Sequence, residues 1–187
     1  MPPRADPELE NRILAAARRL WHKNGEAALT MRAVAKAAGT NTPAVYRRFR
    51  DRDELLLALV ESFQMDLFRS LEPCRSLSEF GECYFDFALQ RPREYELLMS
   101  GLLARIRKRR PNFDLLRKRC AEWLGGTPDK YEDLAVALFC FGHGAVMLIL
   151  TRNLPPEDVQ QVKAVFARSI NVLVANAGKI RAGTQRQ

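Results

Sequence analysis

Residues that carry most catalytic and metal-binding chemistry are scarce in this sequence. The 187 residues include only two histidines and four cysteines. The cysteines stand at positions 74, 83, 120 and 140, so none has a neighbour two or three residues away, as zinc and redox motifs require. The sequence also lacks a P-loop, a dinucleotide fingerprint and a nucleophile motif. We therefore expect no enzyme activity, no metal site and no cofactor.

Long apolar runs and alternating strand-like patterns are missing as well. The N-terminal segment carries acidic residues where a signal peptide needs an apolar run, which argues for a cytoplasmic protein. The most apolar stretch, residues 134–150, is marginal against the roughly 20 residues that span a bilayer. We interpret it as a buried packing helix, with a membrane span as the less favoured alternative. All periodic segments have helical spacing, so the sequence predicts an all-α fold.

Capping residues, glycines and prolines divide the chain into about nine helices. Thr30 and Asn41 are N-cap residues in front of two short helices, and residues 51–54 form a capping box for a long fourth helix. Further helices are predicted over residues 77–90, 93–108, 112–124, 128–151 and 156–177. This organisation predicts an N-terminal three-helix domain, residues 1–50, and a helical domain for ligand binding and dimerisation, residues 51–187.

Positive charge is in excess, with 30 Lys and Arg residues against 22 acidic ones and a formal net charge of +8. Such an excess favours polyanionic partners, nucleic acid first. Four arginines, at positions 47, 48, 50 and 52, follow a Thr-Pro pair and a tyrosine within the stretch TNTPAVYRRFRDRDELL. A solvated helix end is the alternative interpretation of this cluster.

Two short helices joined by residues 38–41 fit a helix-turn-helix motif. Gly39 supplies the residue that tolerates positive φ in the turn. The second helix of such a motif enters the major groove with its N-terminal residues at base edges. The residues at that end are small: Thr42, Pro43 and Ala44. Their size lets the backbone approach, and their hydroxyl and apolar surfaces can contact bases.

Longer side chains around this helix can hold the DNA backbone. The phenol of Tyr46 can reach a phosphate or a base, and arginines can bind phosphate through a bidentate fork. Arg52 opens the fourth helix, whose N-terminal amides favour an anion. The predicted DNA-contacting residues are Thr30, Arg32, Asn41, Thr42, Pro43, Ala44, Tyr46, Arg47, Arg48 and Arg52.

Residues 8–56 closely resemble the DNA-binding domain of the tetracycline-repressor (TetR/AcrR) family. The matching stretch is ILAAARRLWHKNGEAALTMRAVAKAAGTNTPAVYRRFRDRDELL. It contains an aromatic residue four positions before Gly25, the Leu29-Thr30 pair and an alanine-rich second helix. It departs from the family at Thr40, where an apolar valine is usual, and at Arg52, where lysine is commoner. The resemblance implies base contacts by Arg32, Thr42, Pro43, Ala44 and Tyr46, and phosphate contacts by Thr30, Arg48 and Arg52.

The resemblance also implies a function. It is that of a ligand-responsive transcriptional regulator, usually a repressor, which binds a pseudo-palindromic DNA operator as a homodimer. The last two helices would form the dimer as a four-helix bundle, and the body would hold an apolar or amphipathic small molecule. The chain would not bind a membrane. The alternative is a helical ligand-binding or scaffold dimer with a vestigial DNA-binding domain.

Aromatic and sulfur-bearing residues are dense in the middle helices. Phe80, Tyr84 and Phe87 lie at i, i+4 and i+7, on one side of a helix. Side chains with this spacing line pockets in helical bundles and also form ordinary cores. His143 stands between two glycines and resembles a His-Gly signature of one TetR subgroup; it either lines a pocket or packs as a hydrogen-bonded histidine. The candidate pocket residues are Phe80, Tyr84, Phe87, Met99, Leu103, Trp123, Phe139, His143 and Met147.

A basic run, residues 105–119, fits none of these assignments. It has eight basic residues in fifteen positions against one acidic residue. Three interpretations stay open: a solvated loop and helix face, an additional phosphate contact, or the entrance for an anionic ligand.

Overall fold

The computed structural model describes residues 8–101, 111–152 and 154–181, and every regular element in these ranges is helical. This confirms the predicted all-α fold. The α-helices are α1 Leu9–Asn24, α2 Met31–Ala37, α3 Thr42–Tyr46, α4 Arg52–Leu71, α5 Leu77–Gln90, α6 Pro92–Met99, α7 Pro111–Leu124, α8 Glu132–Arg152, α9 Pro156–Ala175 and α10 Ala177–Arg181. Two 3-10 turns, Gly25–Ala28 and Pro128–Tyr131, precede α2 and α8.

Most helix bounds agree with those predicted from the sequence. Two helix ends differ, one near Gly101 and one at Asn176. Helix α6 ends at Met99, before Gly101 adopts a left-handed φ of 80°, whereas the pattern predicted a helix to residue 108. The segment 102–110 lies outside the described residues. The last predicted helix is divided at Asn176, whose side-chain amide bonds the carbonyl of Val172 at 2.8 Å. A side chain that binds its own helix backbone competes with continuation of the helix.

The described residues fall into two compact units. The first comprises residues 8–63 and 93–101, and the second comprises residues 64–92 together with the described residues from 111 onward. The division falls inside α4, and most of α6 groups with the N-terminal helices. The functional boundary after residue 50 stays a prediction.

Apolar side chains at helical spacing form the core of the first unit. Helix α1 contributes Ile13, Ala16 and Ala17, while α2 and α3 contribute Val34 and Val45, and all five are fully buried (0%). Complete burial of a valine or isoleucine stabilises a fold by roughly 1.5–3 kcal/mol. The three N-terminal helices therefore share one core, and their relative positions are fixed by it.

The core of the second unit is built around Phe166 of α9. Its ring centroid lies 4.7 Å from that of Phe85 on α5 and 5.4 Å from that of Phe141 on α8. Two glycines make room for it: a Cβ atom on Gly81 would stand 2.8 Å from the ring, and one on Gly142 would stand 3.4 Å away. These glycines let α5 and α8 approach α9 within one chain.

Helices α8 and α9 also carry large apolar side chains on their outer sides. We call this set the exposed apolar face; its members are Val136, Phe139, Phe141, Leu148, Val165 and Val172. Val172 is the most exposed of them, at 62%. The segment Pro128–Arg152 is long and apolar enough to cross a membrane by length and composition alone. A helix that packs on both sides in a protein bundle meets the same criterion.

Candidate DNA interface and effector region

Helices α2 and α3 each begin at a side-chain cap. The hydroxyl of Thr30 accepts the N–H of Ala33 at 3.1 Å, and the carbonyl oxygen of the Asn41 side chain accepts the N–H of Ala44 at 2.9 Å. Both cap residues have extended backbones, as N-caps require. The sequence prediction of these two caps is confirmed. Each cap fixes the start of a helix whose N-terminal residues were predicted to face DNA.

The turn between the two helices is a Schellman motif. Gly39 has a left-handed φ of 66°, and its N–H bonds the carbonyl of Lys36 at 3.3 Å. The N–H of Thr40 bonds the carbonyl of Ala35 at 3.0 Å. This is the bond pattern expected for a glycine just beyond a helix C-terminus. The motif sets the direction in which α3 leaves α2.

Helix α3 divides its residues between the core and the surface. Tyr46 is 51% exposed, and Pro43 and Arg47 are also exposed. Ala44 is only 2% exposed, so its methyl group belongs to the core of the first unit, and the predicted base contact by this residue stays a prediction. A five-residue helix packed on one side can present only its other side to a partner.

The remaining predicted DNA contacts lie around this helix. Thr30 and Arg32 are exposed beside it on the N-terminal turn of α2, and Asn41 is exposed at the start of α3. Thr42 and Arg48 are partly exposed. These positions are compatible with a DNA-facing surface, and the individual contacts stay predictions.

Helix α4 begins at a variant of the predicted capping box. The carboxylate of Asp51 accepts the N–H of Glu54 at 2.8 Å. In return, Glu54 accepts the N–H of Arg50, one residue before the position that a regular capping box uses. The hydrogen bond from the N–H of Glu54 and the neighbouring Arg50 guanidinium lower the pKa of Asp51. The cap is therefore ionised at neutral pH.

Three candidate pocket residues lie together on α5. Phe80, Tyr84 and Phe87 are each less than 10% exposed. The ring of Tyr84 would stand 3.6 Å from a Cβ atom on Gly142, so this part of α5 packs against α8. The guanidinium of Arg91 lies 5.4 Å above the ring of Phe87. In a single chain, these rings are core residues of the second unit.

His143 and Phe139 form a stacked pair on α8. Their ring centroids are 5.9 Å apart and the rings are within 4° of parallel. Burial lowers the pKa of His143, so its imidazole is neutral at pH 7. Phe139 is 40% exposed and belongs to the exposed apolar face, which differs from the enclosed position predicted for it.

The other candidate pocket residues are distributed over different elements. Met147 is partly buried on α8, and Trp123 is partly buried on α7 with the guanidinium of Arg119 5.8 Å from its ring. Met99 lies at the end of α6 in the first unit, and Leu103 lies outside the described residues. Within the described part of the chain, no group of three or more His, Cys, Asp or Glu side chains is placed to hold a metal ion.

Two family models match the chain over the two regions described above. The model for bacterial regulatory proteins of the tetR family matches residues 13–59. A second model, a tetracyclin repressor-like C-terminal domain, matches residues 77–173, more than half of the chain.

The chain belongs to the TetR family. It is therefore a DNA-binding transcriptional regulator with a ligand-binding domain. Regulators of the TetR family are generally not enzymes. The finer resemblance to a His-Gly subgroup stays a prediction.

Solved structures have the same fold. A TetR protein of Acinetobacter baumannii AYE, solved with minocycline, is 22% identical with a TM-score of 0.65, over 91% of this chain and 97% of that one. A Rhodococcus sp. RHA1 protein with unknown function is 24% identical with a TM-score of 0.67, over 90% and 98%. The multidrug binding protein EbrR, solved with ethidium, is 26% identical with a TM-score of 0.58, over 87% and 98%. A comparison with curated protein sequences finds no match.

In this TetR-family chain, Arg52 has a structural role that the sequence did not predict. Its guanidinium donates to the carbonyl of Leu29 at 2.9 Å and forms an ion pair with Glu26 at 3.0 Å. Arg52 thereby joins the start of α4 to the 3-10 turn in front of α2. Arg52 therefore has a role in the structure of the DNA-binding unit, and its predicted phosphate contact stays a prediction.

A second joint that the sequence did not reveal links α6 to α1. Arg93 donates to the carbonyls of His22 and Lys23 at 2.6 and 2.7 Å, and so caps the C-terminus of α1. The indole N–H of Trp21 donates back to the carbonyl of Arg93 at 3.0 Å. The buried carboxylate of Glu94 lies 3.7 Å from the imidazole of His22. The one sequence feature that pointed to this contact was the predicted end of α1 near Gly25, because the last carbonyls of a helix need hydrogen-bond partners.

The described part of the basic run is paired with acidic side chains. Arg117 bonds Glu132 and lies 3.3 Å from Asp129, and the bond to Glu132 raises the pKa of Arg117. Arg119 bonds Glu122 at 2.6 Å. These pairs favour the first interpretation for residues 111–119, a solvated helix face, on which carboxylates of the same chain neutralise the positive charges. The rest of the run, residues 105–110, lies outside the described residues.

Proposed function

We propose that this protein is a ligand-responsive repressor that binds a pseudo-palindromic operator as a homodimer. The observation that carries the proposal is the division of α3 into a buried and an exposed side. Ala44 and Val45 are buried, while Pro43, Tyr46 and Arg47 are exposed beside a capped helix start. A helix whose free side offers an aromatic hydroxyl and arginines suits base edges flanked by phosphates.

The exposed apolar face supports dimerisation through the last two long helices. Six large apolar side chains on α8 and α9 would be covered if the same helices of a second copy packed on them as a four-helix bundle. Large apolar side chains exposed together in a soluble protein are typical of an interaction site when they adjoin one another. A two-fold dimer would place two recognition helices on half-sites that are one helical turn or a multiple of it apart, at about 34–36 Å per turn. We expect it to work in the cytoplasm, as is typical of the family.

The effector we propose is an apolar or amphipathic small molecule. The second unit supplies aromatic side chains on α5 and α8 together with a neutral imidazole at His143. Aromatic walls with a few polar groups are typical of small-molecule sites. The structure of EbrR with ethidium, an aromatic cation, supports an aromatic effector class at 26% identity.

Two helices are candidates for passing the signal to the DNA-binding unit. Helix α4 is continuous from Arg52 to Leu71 and includes residues of both units. Helix α6 follows α5 directly and is joined to α1 by Arg93 and Trp21. An effector can change operator affinity only if it binds one arrangement of these helices better than another. A saturating effector that leaves operator affinity unchanged would contradict this mechanism.

The alternative is a ligand-binding or scaffold dimer whose DNA-binding domain no longer functions. Selection of bound duplexes from a random pool separates the two, because only a working DNA-binding domain enriches a common sequence. The enriched duplex then allows a salt titration of binding. Each phosphate contact contributes about 0.9 to the slope of log affinity against log salt concentration.

Arg48→Ala is the sharpest test of the predicted contacts. It should weaken binding to all duplexes and lower the salt slope by about one. Arg75→Ala, which removes an exposed arginine from the second unit, is the matched control and should leave the slope unchanged. An unchanged slope in Arg48→Ala, with a folded protein, would show that Arg48 does not contact phosphate.

A further inference from the structure

A polar contact joins α7 to the second half of α4 inside the second unit. Asn112, near the start of α7, donates its side-chain amide to the backbone carbonyl of Gln64 on α4 at 3.3 Å. Further along, the guanidinium of Arg119 donates to the carbonyl of Glu72, just after the end of α4. The two contacts are eight residues apart on the first segment and seven on the second. Because both are helical, α7 runs alongside α4 in the same direction.

The side chain of Gln64 occupies an apolar position of α4. It stands at i in a stripe whose i+3 and i+7 members, Leu67 and Leu71, are almost completely buried, and Gln64 itself is only 8% exposed. On α7, Leu115 and Leu116 are buried one turn after Asn112. Burying an amide in such surroundings costs free energy unless its polar atoms are hydrogen-bonded. Core packing alone therefore does not account for a glutamine at this position.

The amide oxygen of Asn112 is a buried acceptor. Oδ1 is enclosed by the protein, and within the described part of the chain no donor forms a hydrogen bond with it. The orientation of the amide follows from chemistry, because two oxygens would repel each other and the Nδ2 atom must face the Gln64 carbonyl. Most buried polar atoms in folded proteins have a partner, and an unpaired one is costly. A donor that reached this oxygen would therefore bind favourably.

We propose that Asn112 and Gln64 form the polar subsite of the effector site, and that it binds a primary amine or hydroxyl on an otherwise aromatic molecule. Oδ1 of Asn112 accepts the N–H or O–H of that group. The amide of Gln64 supplies both a donor and an acceptor to orient the effector. Both side chains are neutral, so the subsite selects by hydrogen bonding and not by ion pairing. This inference rests on the proposed function and narrows its effector class to molecules that carry a donor.

A buried water molecule is the alternative occupant of this position. Such waters bind polar groups for which the chain itself provides no partner. A permanently bound water would satisfy Oδ1 of Asn112 in every state of the protein. The protein would then show no preference between two ligands that differ only in a donor group, and this difference separates the two occupants.

The experiment compares two dyes on the full-length protein by isothermal titration calorimetry. One is ethidium, an aromatic cation with primary amines, and the other is its deaminated analogue, which has the same ring system without the amines. We expect the wild-type protein to bind ethidium about 10-fold more tightly, because one hydrogen bond to an otherwise unpaired acceptor is gained. DNA is left out of these titrations, since ethidium itself binds DNA.

Three variants assign the preference to the two amides. Asn112→Leu removes the acceptor at nearly the same volume and should bring the affinities for the two dyes to about the same value. Gln64→Leu should lower the preference for ethidium about threefold. It keeps the backbone carbonyl that Asn112 bonds, so it tests the subsite even if Asn112→Leu does not fold. Gln90→Leu makes the same replacement at an exposed glutamine of α5 and should leave the preference unchanged. Circular dichroism checks that each variant is folded.

Equal affinity of the wild-type protein for the two dyes, or binding of neither dye, would overturn the subsite. A preference that persists in folded Asn112→Leu protein would do the same, and one unchanged in Gln64→Leu would overturn the role of Gln64. The selection of duplexes, carried out without dye, tests the repressor function separately. A protein that enriches a duplex but does not discriminate between the dyes contradicts the subsite alone. A protein that discriminates between the dyes but enriches no duplex contradicts the repressor function alone.

Discussion

The DNA-binding helices and the last two long helices are stabilised in different ways. Helices α2 and α3 are short and α4 is long, and a side chain caps the start of each: Thr30, Asn41 and Asp51. Helix α9 begins at Pro156, and its N-cap residue, Pro155, makes no side-chain capping bond. It relies on apolar contacts instead, and part of its apolar surface is exposed in the single chain.

This difference follows from what each region has to do. A recognition helix must present a few side chains at a fixed angle, and caps and turns set that angle through local bonds. A dimerisation region needs a large apolar area, which non-directional burial can supply over many residues. The comparison predicts that substituting one capping residue will change the stability and DNA affinity of the first region. It also predicts that a charge introduced on the exposed apolar face will weaken the dimer formed by the second.

The largest effect is expected from a charge on the exposed apolar face. Val172→Glu should weaken the dimer roughly 100-fold, or about 3 kcal/mol, because a carboxylate would replace a buried valine at the interface. Analytical ultracentrifugation measures the change in the dimer dissociation constant. Gln160→Glu, which adds the same charge at an exposed polar position of the same helix, is the control and should have little effect. A dimer that tolerates Val172→Glu would place the interface elsewhere.

A substitution inside the second unit should have the next largest effect. Gly81→Val should destabilise the fold by about 2–3 kcal/mol, because its Cβ atom would stand 2.8 Å from Phe166 and 2.9 Å from Ile170. Denaturant unfolding measures the loss. Gly144→Ala is the matched helical control, since among the described residues no atom beyond its chain neighbours and its own helix backbone lies within 4 Å of the added Cβ atom. If Gly144→Ala preserves the fold of the chain yet weakens the dimer, the partner copy approaches α8 at this glycine.

A smaller effect is expected from the cap of the recognition helix. Asn41→Ala should cost about 1 kcal/mol of stability, because the N–H of Ala44 loses its partner. Thermal unfolding and operator affinity should both fall. Asn41→Ser keeps a capping oxygen and should recover most of both. If Asn41→Ser recovers stability but not operator affinity, the Asn41 side chain contacts DNA itself, as the sequence predicts.

The smallest effect concerns pH and the start of α4. The hydrogen bond from the N–H of Glu54 lowers the pKa of Asp51 below its ordinary value of 3.8. The stability from this ionised cap is therefore complete above that value and is lost as pH falls through the lower pKa of the folded protein. Asp51→Asn keeps a capping oxygen without the charge, so its stability should depend less on pH. Unfolding curves of the two proteins at about pH 6 and about pH 3 should converge toward the acidic end. Parallel curves at both pH values would show that the Asp51 charge does not contribute.

The sequence predicted the starts of the DNA-binding helices well because capping is local. Thr30, Asn41 and Asp51 each bond a backbone N–H three residues further along the chain, so donor and acceptor of each hydrogen bond lie within one short stretch of sequence. The same holds for Gly39, whose left-handed φ ends α2. The predicted end of α6 was wrong because Gly101, which ends it, was treated as an interior residue of a longer helix.

The surroundings of two predicted DNA-contacting residues depend on long-range packing. The core of the first unit covers the methyl group of Ala44, which lies at the start of the recognition helix. The guanidinium of Arg52 bonds a carbonyl 23 residues earlier in the chain. The periodicity of α3 and α4 does not indicate which neighbours contact these side chains, so the sequence pattern could not have shown either contact.

By itself, the sequence determined the helical class, the order of the helices, the helix-turn-helix motif and its family. These depend on caps, glycines, prolines and apolar spacing within a few residues of one another. Only the tertiary structure decided which side of α3 is free and that Arg52 and Arg93 serve as joints. Those outcomes arise from contacts between residues far apart in the chain, whose geometry is fixed only when the helices pack around a common core.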